Sequence, residues 1–311
     1  MKTLLATTTI LALTAGLASA EITTTGTARM GIIDDFGDVG AVFSSRVRII
    51  FTASGESDSG LSFGATVRND QSGVGNEANG DSTVFVSGAF GKLTMGDVDG
   101  AAAAAVGQVS GVGYTGLRDL NEIAYLLGNE DTSALYEYST GNLGFFLSGQ
   151  PNAGNTNFGV GANYTMGNYK FGIGYEKLED GSTPGGGWPD KINFSAFFGN
   201  GATQIVLGAD ATYGAFTGKL RFARYNEANV DAGLDQVALS VDYTADALTM
   251  TGYYSNFRGT DEYQGDDADF YGLGAAYDLG GGAAVVGGYS KAKYEGLDSD
   301  SAFDVGLTFS F

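Results

Sequence analysis

The chain of 311 residues has no cysteine, no histidine, only three prolines and a single tryptophan. Without cysteine it has neither disulfides nor thiolate chemistry. Without histidine it lacks the commonest general base and the commonest transition-metal ligand. No Ser/His pair can form, and most of the usual hydrolase and zinc constellations are gone. Cations are scarce as well: 16 Lys and Arg stand against 36 Asp and Glu, a formal net charge of −20. That balance argues against nucleic acid as a partner. It keeps loops solvated and makes a field that favours cations. Beyond the first 20 residues no run of roughly 20 apolar residues occurs, so the sequence holds no helical membrane span.

What is abundant is glycine, 51 residues, together with 17 Tyr and 20 Phe. Disordered glycine-rich chains normally lack aromatics. Here they sit in short alternating runs, as in Phe303-Asp304-Val305-Gly306-Leu307-Thr308-Phe309-Ser310-Phe311. A period of two sends alternate side chains to opposite faces of a strand. An aromatic end fits an outward face that meets lipid at the membrane boundary. At the other end, Met1-Lys2, an apolar stretch from Leu4 to Leu17 and Ala18-Ser19-Ala20 read as a secretory signal peptide, residues 1–20, cleaved after Ala20. Residues 21–311 are then the exported domain.

Sixteen extended segments follow, approximately 22–33, 41–54, 61–69, 81–90, 92–97, 133–140, 143–150, 157–166, 169–179, 202–213, 215–226, 234–244, 247–257, 268–278, 283–293 and 300–311. Each is near the ten residues that a tilted strand needs to cross a hydrocarbon core. Seven short turns alternate with eight longer connections, at 34–40, 70–80, 98–132, 151–156, 180–201, 227–233, 258–267 and 294–299. The expected fold is therefore all-β: a transmembrane antiparallel β-barrel of about 16 strands, with short turns on the periplasmic side. Closure satisfies every backbone group where water is absent. Sixteen strands leave an aqueous lumen. Lys191 to Phe198 also alternates and is assigned to an ordered excursion in the loop 180–201.

Parity sorts the charges. Val47, Ile49 and Phe51 face lipid, which turns Arg46 and Arg48 inward; Phe63, Ala65 and Val67 do the same for Arg68, and Ala28, Met30 and Ile32 for Arg29. Lys170, Lys219 and Arg221 also point in. A charge on the lipid face at mid-membrane costs roughly 2–4 kcal/mol, so inward placement is the default for each. Four arginines on three consecutive strands then share one patch of wall. Facing them would be the connection 98–132, too long for a simple turn. It opens between Asp97 and Asp99 and carries the small-residue run Ala101 to Ala105, an apolar helical spacing at Leu117, Leu120, Ala124 and Leu127, and the further acids Asp119, Glu122, Glu130 and Asp131. Folded against the inside of the wall, it would set a transverse field across a narrowed pore.

Arg46-Val47-Arg48, the stretches Val84 to Asp97 and Tyr271 to Gly282, the signal peptide and the terminal Phe311 resemble the trimeric general-diffusion porins of alphaproteobacterial outer membranes. The likeness covers nearly the whole exported chain. It implies a homotrimer in the outer membrane of a Gram-negative bacterium, touching lipid and lipopolysaccharide, with the third loop forming an eyelet. By position the eyelet would set Arg29, Arg46, Arg48 and Arg68 against Asp97, Asp99, Asp119 and Glu122. It also implies weakly bound Ca²⁺ among loop carboxylates, here at Asp97 and Asp99, and no other cofactor.

The function expected is passive diffusion of small hydrophilic solutes and ions, mildly favouring cations. A substrate-selective channel would need a track of aromatic or basic residues, and the charges form a cluster. A surface adhesin is opposed by outward aromatic runs such as Phe145-Phe146. Two signals are set aside. Gly111-Val112-Gly113-Tyr114-Thr115-Gly116 matches a dinucleotide pattern but lacks the βαβ context that gives it meaning. The acids at 266, 267 and 269 do not complete a calcium loop.

Overall fold

A computed structural model describes residues 21–36, 40–72, 81–128, 133–152, 155–179, 201–228, 232–261 and 267–311. The expected signal peptide 1–20, the excursion assigned to 191–198, the single tryptophan (Trp188), Glu130, Asp131 and Asp266 lie outside the described residues. Within them the alternating runs become strands in chain order. The first eight are β1 (Glu21–Asp34), β2 (Val42–Glu56), β3 (Ser62–Ser72), β4 (Ser82–Gly88), β5 (Gly91–Gly96), β6 (Ser133–Thr140), β7 (Leu143–Asn152) and β8 (Asn155–Met166). The second eight are β9 (Tyr169–Leu178), β10 (Ala202–Tyr213), β11 (Phe216–Glu227), β12 (Ala232–Ala245), β13 (Leu248–Asp261), β14 (Ala268–Gly280), β15 (Ala283–Tyr294) and β16 (Asp300–Ser310). One short helix, α1 (Ala101–Val106), lies in the connection after β5.

Every strand pairs antiparallel with its sequence neighbours, and β1 pairs with β16, so the sheet closes into a sixteen-stranded barrel. The seam is finished by backbone bonds between Gly26 and Phe311 in both directions, at 2.7 and 2.9 Å. No edge is left to find partners in lipid. Pairing runs past the expected segment ends. The connection expected at 151–156 is largely strand instead, because the ladder continues to Asn152 opposite Asn155.

Alternation sorts the two faces as the parity argument requires. Outward positions hold large apolar side chains in the open, Phe43 at 91 % and Leu273 at 70 % exposure among them. In water so continuous an apolar exterior would aggregate; against acyl chains it is the required surface. The buried apolar residues lie inside. Tyr225, Phe257, Phe270, Leu178 and Leu234 point in from β9 to β14 and pack against Leu117, Ile123 and Leu126 of the connection between β5 and β6. That connection is thus part of the core and fills one side of the lumen.

Candidate functional site

The arginine side is assembled by register on β1, β2 and β3. Arg29 stands directly opposite Arg46, and Arg48 opposite Asp70. Like charges in direct opposition destabilise a sheet, so the Arg29–Arg46 pairing is not there for the sheet's benefit. Arg48 is held bidentately, its Nε 2.8 Å from Asp70 Oδ1 and its Nη2 2.8 Å from Oδ2. Arg68 reaches Asp81 at 2.6 Å and Asp70 at 3.2 Å. Arg29 donates to the Tyr114 carbonyl at 3.0 Å, with its guanidinium 6.0 Å from the Tyr114 ring centroid. Arg46, among the described residues, has no hydrogen bond or ion pair, which leaves its charge less neutralised than those of Arg48 and Arg68.

The loop 98–128 is seated on the far wall by glycine. A Cβ at Gly172 would lie 3.0 Å from the Ala105 carbonyl, one at Gly161 2.6 Å from Ala105 Cβ, and one at Gly208 2.7 Å from Val106 Cγ1. Bare backbone on β8 to β10 meets the backbone and small side chains of α1, leaving no room for a Cβ at these glycines without a shift. Farther round, Gly274 makes the same room for Val112. Inward polar groups then satisfy the loop's backbone. Glu176 accepts from the N–H of Ala102 and Leu127, at 3.3 and 3.0 Å. Gln204 accepts from Leu126 N–H and donates to the Ala124 carbonyl, and Gln236 accepts from Ala124 N–H and donates to the Glu122 carbonyl. Asp304 takes Thr115 N–H and Oγ1–H at 2.8 and 2.6 Å. A buried loop is tolerated only with this degree of satisfaction.

The acidic side is the loop's lumen-facing edge. Residues Gly116 to Asp119 all have positive φ: 88°, 47°, 64° and 51°. Three of the four carry a Cβ, and a left-handed conformation costs about 1–2 kcal/mol for each such residue. The apolar spacing at 117–127 suggested a short helix; a left-handed turn stands there because Leu117 is fully buried while Asp119 is exposed to the lumen. Confinement by surrounding protein raises the Asp119 carboxyl, and Arg29 and Arg46 act in the opposite direction. Glu122 is pushed up to about 7 by burial and by the neighbouring charges of Asp119 and Asp99. Burial likewise raises Asp99. Asp97 is raised by burial and by its hydrogen-bonded neighbour Asp81, with Arg68 opposing.

The remaining expected residues divide. Lys170 and Lys219 both stand opposite Asp210 in register, on the inner face of β9 to β11. Arg221 also points in, but the loop roofs it: its side chain is 3 % exposed, bonds Asp210 at 2.6 Å and donates to the Gly107 carbonyl at 2.9 Å. It anchors the loop and lines no open lumen. Asp97 and Asp99 lie at the start of the loop, yet among the described residues no group of three or more His, Cys, Asp or Glu could hold a metal. Gly113 of the dinucleotide-like pattern lies against Asp304. Asp269 accepts from Tyr254 and Asn256, and Asp267 pairs with Arg258.

Sequence reasoning missed Asp70, Asp81, Glu176, Gln204, Gln236 and Asp304. Glu176, Gln204 and Gln236 each have inward parity, beside the outward Tyr175, Ile205 and Val237, and that signal was available. The partner each would find in the loop was not.

The sequence and the barrel both match known proteins. The family model for Gram-negative porins matches residues 7–297. A porin of Rhodobacter capsulatus is 40 % identical over 309 residues, covering 94 % of this chain and 100 % of that protein. A porin structure refined at 1.8 Å superposes with a TM-score of 0.75 at 34 % identity, again over 94 % and 100 % of the two chains. A triple mutant of Rhodopseudomonas blastica porin, at 23 % identity and a TM-score of 0.70 over the same shares, shares the fold.

Proposed function

The chain belongs to the Gram-negative porin family and is an outer-membrane diffusion pore; on that premise we propose that it passes small hydrophilic solutes and ions, mildly favouring cations, between the arginines of β1 to β3 and the acidic edge of the loop. One observation carries the selectivity. Counting Asp70 and Asp81, the four arginines Arg29, Arg46, Arg48 and Arg68 face six carboxylates, with Asp97, Asp99, Asp119 and Glu122 completing the set. The constriction therefore carries two net negative charges with all groups ionised, and one with Glu122 protonated. A field of that sign favours cations, and its transverse direction orients polar solutes.

Because the Glu122 carboxyl sits at about 7, cation preference should grow as pH rises from 6 to 8. The sign for stability is opposite. Glu122 keeps its proton in the fold where an unfolded chain has lost it, so stability declines from the ordinary carboxylate range up to about pH 7 and is level beyond. Reversal potentials in a KCl gradient across a planar bilayer read the first effect. A larger K⁺ preference at pH 8 than at pH 6, flattened in Glu122→Gln, is expected. Anion preference at pH 8, or a folded protein that conducts nothing, would overturn the reading.

Trimer assembly and contact with outer-leaflet lipid complete the proposal. The outer surface supports a division of labour. Among the described residues, outward positions of β1 to β8 carry no charge except Asp34, whereas β9 to β15 carry Lys177, Arg224, Asp235, Arg258, Asp269, Lys291 and Lys293 outward near their outer ends, with Arg224 paired to Asp235 and Arg258 to Asp267. Lys291 and Lys293 lie two and four residues beyond the outward Tyr289, which places the ammonium groups just past an aromatic girdle, at headgroup depth. The uncharged arc suits protein, the charged one lipid phosphate. Native mass spectrometry of the detergent-extracted protein should show three copies with phosphorylated glycolipid adducts, the adducts diminished in K291Q/K293Q. A monomer, or adducts indifferent to those lysines, would contradict it.

A further inference from the structure

The left-handed turn that presents Asp119 needs an external restraint, because three consecutive residues with a Cβ hold positive φ only where their surroundings over-determine them. Leu117 is restrained by the core and Thr115, just before the turn, by Asp304. The backbone bonds Asp119 N–H to the Gly116 carbonyl and Glu122 N–H to the Asp119 carbonyl, both 2.9 Å, close the turn on itself. Arg118 is the residue of the turn that reaches outside the loop. Its Nε donates to Asp35 Oδ1 at 3.0 Å and its Nη2 to Oδ2 at 3.4 Å, and its guanidinium lies 5.6 Å from the Phe36 ring centroid. Phe36 itself has a φ of 43°, so both ends of the contact hold left-handed backbone.

Asp35 follows directly on β1, which ends at Asp34 and carries Arg29. The contact therefore ties the acidic edge of the loop to the same strand that presents the basic side, 83 residues away in sequence. We propose that Asp35, Phe36 and Arg118 form a positioning clamp that holds Asp119 in register with Arg29 and Arg46, and that this clamp sets the ion selectivity of the pore. The proposal rests on the constriction described under Proposed function. Arg118 and Asp35 carry opposite charges, so the pair adds no net charge and acts by geometry.

Arg118→Lys tests it without altering formal charge, because an ammonium cannot reproduce the planar fork. Asp119→Asn is the reference, expected to lower the K⁺/Cl⁻ permeability ratio roughly twofold, the effect of one screened charge at about a Debye length. R118K should reproduce most of that loss of selectivity, and R118K/D119N should add nothing to D119N, since both act on one group. Phe36→Leu, which leaves every charge in place, should shift the ratio in the same direction by less and guards against a misfolded R118K. The swap D35R/R118D should restore the ratio towards that of the unmodified pore. Reversal potentials of R118K and F36L equal to those of the unmodified protein, with D119N shifted, would overturn the clamp alone. D119N without effect would overturn the constriction and the clamp together.

Discussion

Charge reversal at Arg46 is expected to change ion selectivity more than reversal at the carboxylate-paired Arg48 or Arg68. Arg48 is neutralised by a bidentate Asp70, and Arg68 shares Asp70 and Asp81, whereas Arg46 has no hydrogen bond or ion pair among the described residues. Arg46→Glu changes the local charge by two. At about a Debye length in water, that is worth roughly 0.4 kcal/mol in favour of a monovalent cation and as much against an anion, or about fourfold in the K⁺/Cl⁻ ratio. Arg48→Glu has a second consequence: it sets a carboxylate against Asp70 across the β2–β3 ladder, and like charges directly opposite weaken a sheet. R46E should thus shift the reversal potential at near-native heat stability, while R48E shifts it and melts earlier. Unaltered reversal potentials for R46E in a KCl gradient would remove Arg46 from the constriction.

Deleting residues 103–116 should widen the pore, raising single-channel conductance and admitting larger sugars in liposome swelling. The excised segment holds most of α1 together with Val106, Val109, Val112 and Tyr114, all buried. Losing those four side chains removes about 6 kcal/mol or more of apolar burial, so the variant should melt earlier than the parent. The barrel itself should persist, since its closure is a continuous ladder of sixteen strands to which the loop contributes no strand. The glycine-lined seat on β8 to β10 would then face water with no side chain to refill it. A variant that folds and keeps the parent's exclusion limit would show that the loop does not limit passage.

Much of this was legible because a membrane barrel writes its topology locally. Each strand's facing is decided by its immediate neighbours, so Ile49 beside Arg48, or Leu220 beside Arg221, fixes inside and outside without knowledge of the rest of the fold. The same reasoning located all sixteen strands and turned the arginines inward. It erred where pairing outlasted the alternation, at Asn152 opposite Asn155, and where a helical spacing coincided with a left-handed turn at Gly116 to Asp119.

The loop's environment was not local. Glycines at 161, 172 and 208 read as ordinary barrel composition, and only their juxtaposition with Ala105 and Val106 gives them a purpose. Arg221 read as one more lumen charge until the Gly107 carbonyl was found bonded to it, 114 residues away. By itself the sequence determined the strands, their facing and the closed barrel, because alternation and backbone satisfaction in lipid act residue by residue. Tertiary structure alone decided where the third loop is seated inside the barrel, which wall groups satisfy its backbone and which arginines pair with carboxylates. Those outcomes depend on contacts between residues far apart in sequence, which no local pattern records.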